Sequence, residues 1–291
     1  MLQRSARLQY LLLALVAFFA LTHFVLGTRQ NFNFQKNGTS LARSPFFNSF
    51  RGNAINTALP EAKDAGLREG DVILAVNHRR YTGTNVLVEE LRRSLPNQTM
   101  VFDYLRPGDS APHKATVILR PMHPTATPLW AWIVWFVVTI AAFFCLTTGL
   151  YVVFARPLNP HAWLILGILA FFNSLFTSVY YLIDPLKPVA LFWSVIAQTA
   201  MPLCLMAFGI YFPQRSEIDI RYPWIKWLFI TPILLLLPID LLQEFGRPYN
   251  FALCNWLIPY AVGINTFETI IGFCAISYFF VCLAPKVRTA T

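Results

Sequence analysis

Between Leu8 and Leu26 the chain has no Asp, Glu, Lys or Arg, and after residue 128 similar apolar runs follow almost to the end. A bilayer core about 30 Å thick takes roughly 20 helical residues to cross. Within it every backbone N–H and C=O must be paired inside the protein, which leaves helices or closed barrels. Runs this long, without a two-residue alternation, specify helices. The composition agrees: 56% of the residues are hydrophobic and only 13% are charged, against about 25% charged in soluble domains. The predicted fold class is therefore an α-helical polytopic membrane protein, with the lipid bilayer as its first partner.

The spans are expected at 8–26 and near 129–154, 160–183, 188–212, 224–243 and 253–284, about six transmembrane helices in all. Pro157, Pro160, Pro185, Pro188, Pro213 and Pro248 fall between runs, where helix breakers belong. Pro259 and Gly263 suggest a break in the long last run. Phe24-Val25-Leu26-Gly27 offers no small-x-small cleavage pattern, so residues 1–27 read as an uncleaved anchor. Arg4, Arg7, Arg156, Arg215, Arg221, Lys226, Lys286 and Arg288 fall on one side of this topology. The opposite short loops hold Lys187 and Arg247, each near an acid. The positive-inside rule places both termini in the cytoplasm and residues 28–128 outside it. The same flanking residues account for much of the net charge of +9. No basic patch with interleaved aromatics points to nucleic acid. The five cysteines show no C-x-x-C spacing and read as small apolar side chains, with no metal site and no cofactor implied.

Residues 28–128 differ in kind. Residues 28–49 read as linker, and Pro121 to Pro128 (PMHPTATP) as a stiff connector into the five-helix bundle of 129–284, which a tail of 285–291 follows. Between them, AGLREGDVILAVN supplies a turn at Gly70-Asp71 and a strand from Val72 to Val76, and Asn77-His78 turns the chain back. Thr84 is expected to cap a helix whose stripe is Leu87, Leu91 and Leu95 with Val88, leaving Glu89, Arg92 and Arg93 in water. Met100–Leu105 and Lys114–Leu119 alternate as strands do.

The order and spacing of these pieces resemble a bacterial PDZ domain of the circularly permuted type, over residues 50–121. The likeness is carried by Ala65, Gly66, Leu67, Gly70, Asp71, Ile73, Leu74 and Asn77, which in that family shape the chain. It implies an inserted extracytoplasmic α+β domain that binds an extended peptide or a protein C-terminus by strand addition. The implied groove lies between a strand in Phe50 to Thr57 and the helix of Asn85 to Leu95, with a carboxylate-binding loop near Ser44 to Phe50. The contact residues carried over are Phe46, Phe47, Phe50, Ala54, Ile55, Val86 and Glu90. SFRGNAINTA departs from the family's glycine-containing loop and clear strand at this point.

Glu268 sits deep in the last run. A charge there is costly, by about 2.5 kcal/mol or more, so it should face the bundle interior or water, or be protonated; it then serves either an inter-helix hydrogen bond to Asn265, Gln198 or Asn173, or a signal relay, ion site or proton site. Asp240 lies nearer the outer end of its span and is expected to reach the interface. His23 and His161 have no ligand-spaced partner, and Trp130, Trp132, Trp135, Trp224 and Trp227 cluster at span ends as anchors. No H-E-x-x-H, Gly-x-Ser-x-Gly or phosphate-binding glycine loop occurs, so the sequence predicts no catalytic residues and no enzyme. An anchor, a PDZ-like domain and a five-helix bundle together resemble the input half of bacterial sensor histidine kinases and serine phosphatases of the cytoplasmic membrane. In these the output module begins just past the position of Thr291, so truncation, a separate output chain and action through partner contacts alone all stay open. The expected function is a sensory, peptide- or protein-responsive module. The alternatives are an envelope-protein scaffold without signalling, and a transporter using Glu268 and Asp240, for which the expected internal repeats are not visible.

Overall fold

In the computed structural model the described residues are 2–48, 53–175, 177, 179–249, 257 and 260–290. A long helix α1 (Leu2–Asn37) leads into a small sheet unit: β1 (Phe46–Asn48), β2 (Ile55–Ala58), α2 (Pro60–Asp64), β3 (Val72–Val76), β4 (Arg79–Arg80), α3 (Thr84–Arg93), β5 (Thr99–Leu105) and β6 (His113–Ile118). The bundle completes the chain with α4 (Leu129–Ala155), α5 (Pro160–Leu175), α6 (Lys187–Tyr211), a short α7 (Glu217–Arg221), α8 (Ile225–Tyr249) and α9 (Ala261–Ala290).

Five of these helices, α1, α4, α6, α8 and α9, are long and apolar enough to cross a membrane. Much of their apolar surface is left uncovered by the chain itself, with Phe144, Leu235 and Phe273 each about two-thirds exposed or more (66%, 70% and 71%). Surface of that kind is tolerated only in an apolar solvent, so it is compatible with contact to lipid. The central helix is α6, which packs against α1, α5, α8 and α9. At the end of the bundle away from the sheet unit, the Lys286 ammonium donates to the carbonyls of Gly209, Ile210 and Phe212 (2.8–3.1 Å), satisfying the last turn of α6.

Three sequence expectations change here. The third apolar run is helical only from Pro160 to Leu175, and the described rest of 160–183 is not helix. The chain past it packs Val179 and Leu182 against Leu26, Ala190 and Leu191, which burial favours over continuing the helix. Residues 28–37, expected as linker, continue α1. Their rings explain why: Phe32 packs on Trp132 and Trp135, and Phe34 on Tyr181. Pro248 lies in the last turns of α8, not between elements. Gly263 is inside α9, while Pro259 lies outside the described residues.

The sheet unit has its own core, built from Phe46, Ile55, Leu67, Ile73, Val76, Leu87, Met100, Phe102, Val117 and Leu119, among others. Its four-stranded sheet runs β4-β3-β5-β6, with all pairings antiparallel. A register shift between Ile73 and Ala75 puts both Ile73 and Val76 in the core and turns Leu74 outward. Asn77 and His78 both adopt positive φ (47° and 67°), the conformation a two-residue hairpin turn requires. Gly83 stands at the N-cap of α3 with φ 117° and Thr84 opens the first turn, and α3 stops at Arg93, leaving Leu95 exposed.

Entry and exit of the sheet unit run side by side. Ala42 bridges Pro121, Met122 N–H donates to Leu41 (2.8 Å), and Thr127 Oγ1 donates to the Gln35 carbonyl (2.7 Å). The proline-rich connector is thus pinned along the end of α1.

Candidate functional site

Among the described residues the strand β1 pairs with no strand but β2; the Ser44 hydroxyl donates to the Phe46 carbonyl (2.5 Å), and α3 faces the side of β1 away from β2. The hollow between them, about 200 Å³, is lined by Ser44, Phe46, Phe47, Thr84, Leu87 and Val88. Its remaining wall comes from the bundle: Tyr180 and Tyr181, in the connector between α5 and α6. Past Tyr181 the hollow opens into a second cavity of about 290 Å³, lined by Arg29, Gln30, Asn33, Ser44, Val88, Leu91 and Arg92. Ser44, Val88 and Tyr181 line both, so the two cavities adjoin along α3 with Tyr181 between them. The Gln30 amide is buried (3% exposed), and neither its oxygen nor its nitrogen has a hydrogen-bond partner. Burial pushes the Tyr181 hydroxyl above its ordinary pKa, so it stays a neutral donor.

The seam is held by Lys187, at the start of α6. Its buried Nζ donates to Asn85 Oδ1 of α3 and to the Tyr180 carbonyl, each at 2.7 Å. The Tyr180 hydroxyl donates to Glu244 of α8.

Of the residues expected to contact a peptide, Phe46 and Phe47 line the groove, Phe46 at its floor against Phe102 and Phe47 half-exposed at the rim. Ile55 is a core residue, and Ala54 bridges Val72 on the far side of β2. Val86 is buried away from the hollow. Glu90 faces the opposite way and accepts from Arg79 (2.7 Å) and Asn77 (3.1 Å). Burial alone would push the Glu90 carboxyl up, but these donors outweigh it and hold it below the usual carboxylate range. Phe50 lies outside the described residues. The groove strand is thus 46–48, upstream of the expected 50–57, and Thr84, Leu87 and Val88 supply the helix side in place of Val86 and Glu90.

The AGLREGD stretch forms a tight turn built around a buried carboxylate. Gly66 and Gly70 take positive φ (90° and 91°). Asp71, 1% exposed, accepts from Arg68 N–H (2.8 Å) and from Arg106 Nε and Nη2 (3.1 and 3.2 Å), while the same guanidinium donates to the Gly66 carbonyl (2.8 Å). Leu67 and Ile73 are fully buried and Ala65 packs against the same core. Asn77 joins α3 to β5, donating to Glu90 and accepting from Val101 N–H (3.0 Å).

Inside the bundle the expectation for Glu268 is corrected. Its neighbour is Asp240, and the two carboxyl groups approach each other across the α8–α9 interface. They face a cavity of about 410 Å³ between α6, α8 and α9, together with Gln198, Thr199, Gln243, Glu244, Asn265 and Thr269. Asp240 therefore turns inward and does not reach the interface. The signal was present in the sequence: 240-243-244, 265-268-269 and 195-198-199 each repeat the i, i+3, i+4 spacing of one helix face. Among the described residues no group of three or more His, Cys, Asp or Glu is arranged to hold a metal ion. No known protein-family pattern matches the chain, and no curated protein sequence is significantly similar to it.

Proposed function

We propose that this chain is a membrane-integral receptor whose sheet unit is a PDZ-like domain on the extracytoplasmic side, binding an extended peptide or protein C-terminus and passing its occupancy to the helix bundle. The observation that carries this reading is the shared groove. A strand edge that pairs with no further strand among the described residues and a helix frame it, as strand addition requires once the Ser44 hydroxyl gives up the Phe46 carbonyl, and two tyrosines of the bundle complete its wall. A peptide added to the edge of β1 meets Tyr180 and Tyr181, so its binding free energy bears directly on how the bundle connector sits. A ligand shifts a conformational equilibrium only through such differential contact. Arg29, Arg92 and the unpartnered Gln30 amide at the far end of the groove suit a terminal carboxylate.

The positive-inside reading puts both termini in the cytoplasm of a bacterial cell, with a kinase or phosphatase module as the output partner. The test uses the full chain in lipid nanodiscs, titrated with a library of peptides that carry free or amidated C-termini. Saturable binding that needs the free carboxylate and is lost in Leu87→Arg supports the proposal. A folded protein that binds no peptide at millimolar concentration, or binds amidated peptides equally well, overturns its ligand half. The Tyr180→Ala variant separates reception from mere scaffolding: a receptor loses the ligand-induced change in bundle hydrogen exchange, whereas a scaffold shows no such change to lose.

A further inference from the structure

Asp240, Glu244 and Glu268 face one cavity inside the bundle, and among the described residues neither Lys, Arg nor His lines it. At 1.5 Å per residue the cavity lies roughly 10–15 Å in from the ends of α8 and α9 nearest the sheet unit. Carboxylates at such a depth need positive charge beside them. The Tyr180 hydroxyl meets Glu244 at the rim, and among the described residues no cation lies beside Asp240 and Glu268 within. Two carboxyl groups in mutual contact demand a proton or a cation between them, since a carboxylate only accepts.

A second observation points to a ligand. Gln243 is buried (7% exposed) and lines the cavity, and its Nε2 has no partner; Asp240 Oδ2 has none either. One donor and one acceptor are thus presented together. A cation that keeps a water molecule answers both: the ion meets Oδ2, and the water oxygen accepts from Gln243 N–H. The other donors to an ion here are amide and hydroxyl oxygens of α6 and α9, hard ligands that suit an alkali-metal ion.

We propose that Asp240, Glu268 and Gln243 form a binding site for a hydrated monovalent metal cation, sodium or potassium, within the bundle, closed on the sheet-unit side by the Tyr180–Glu244 hydrogen bond. This site stands on observations separate from the groove and does not depend on peptide binding.

The test measures the Tm of the full chain in nanodiscs as sodium or potassium chloride replaces choline chloride at constant ionic strength. The expected result is a saturable rise of a few degrees with one alkali cation, as follows when a ligand binds only the folded state. Glu268→Gln should abolish the rise and Gln243→Leu should weaken it. Binding of radioactive sodium or potassium to the wild-type chain, competed by the unlabelled ion, gives a second readout should Glu268→Gln fail to fold. An equal Tm in choline, a rise retained in Glu268→Gln, or no saturable uptake of either ion overturns the proposal. So does a Tm that answers to pH alone, which would mean that the pair holds only a proton.

Discussion

Removing the Asp71 carboxylate should loosen the sheet unit by an amount its surroundings define. The side chain is 1% exposed and accepts three hydrogen bonds, two of them from Arg106. Hydrogen bonds to charged groups contribute about 1.5–3 kcal/mol each, and stripping a partner from a fully buried ion pair costs about 3–5 kcal/mol. The upper figure does not apply, because the Arg106 side chain is 28% exposed and regains water once its partner is gone. Asp71→Ala should therefore cost about 2–3 kcal/mol, with the orphaned Arg68 N–H as part of the loss. Hydrogen exchange on the full chain in nanodiscs reads this directly: β3 and β5 amides should exchange about 30- to 150-fold faster, at about 1.4 kcal/mol per tenfold. Lys63→Ala serves as the control, since Lys63 and Glu69 are 3.9 Å apart and both more than half exposed, and it should change exchange less than about threefold. An Asp71→Ala effect as small as that control would refute the claim that the AGLREGD turn is held by its buried carboxylate.

Acid should weaken the same unit. Burial pushes Glu61 and Glu90 up, but the hydrogen bonds from Arg43, and from Arg79 and Asn77, leave both folded carboxyls below their ordinary value of 4.5. Their contribution is present above that value and is lost as pH falls through the lowered folded pKa, which circular dichroism across pH 5 to 2 should show. Gly27→Val should destabilise the bundle by about 1–3 kcal/mol in thermal unfolding, because a Cβ there meets Thr177 Cβ at 2.5 Å. Lys187→Met should change Tm little, since burying a charge offsets much of what its hydrogen bonds contribute. It should, however, raise hydrogen exchange across α3, where Asn85 loses its donor. Unchanged exchange at 84–93 would show that Lys187 does not hold the seam.

Hydropathy made five long apolar helices legible, α4 and α6 to within a residue of their bounds, because a long apolar run has few other uses. The stripe of Leu87 and Leu91 and the turn at Asn77 were equally readable, since local spacing and backbone conformation dictate them. What stayed hidden depends on neighbours distant in sequence. NFNFQKN looks like linker until Phe32 and Phe34 find Trp132, Trp135 and Tyr181. The end of α5 at Leu175 reflects burial of Val179 and Leu182 against three other helices. Glu268 looked solitary because nothing in a linear reading rotates α8 so that Asp240 faces it. The groove strand slipped upstream for a related reason: Phe46 and Phe47 belong to a polar, proline-bounded stretch whose pairing with β2 only the tertiary structure reveals.

The paired entry and exit of the sheet unit have an architectural consequence. Neighbouring strands lie only about 5 Å apart, so the bridge of Ala42 with Pro121 brings the two ends of the insertion within reach of a tight turn. A chain in which a short glycine-containing turn replaces residues 43–120 would still join the extension of α1 to the connector ahead of α4 without stretching either. The helix bundle is in this sense a socket. Its rim is fixed by Gln35, Leu41, Met122 and Thr127, and what is plugged into it can be exchanged without rewiring the helices beneath.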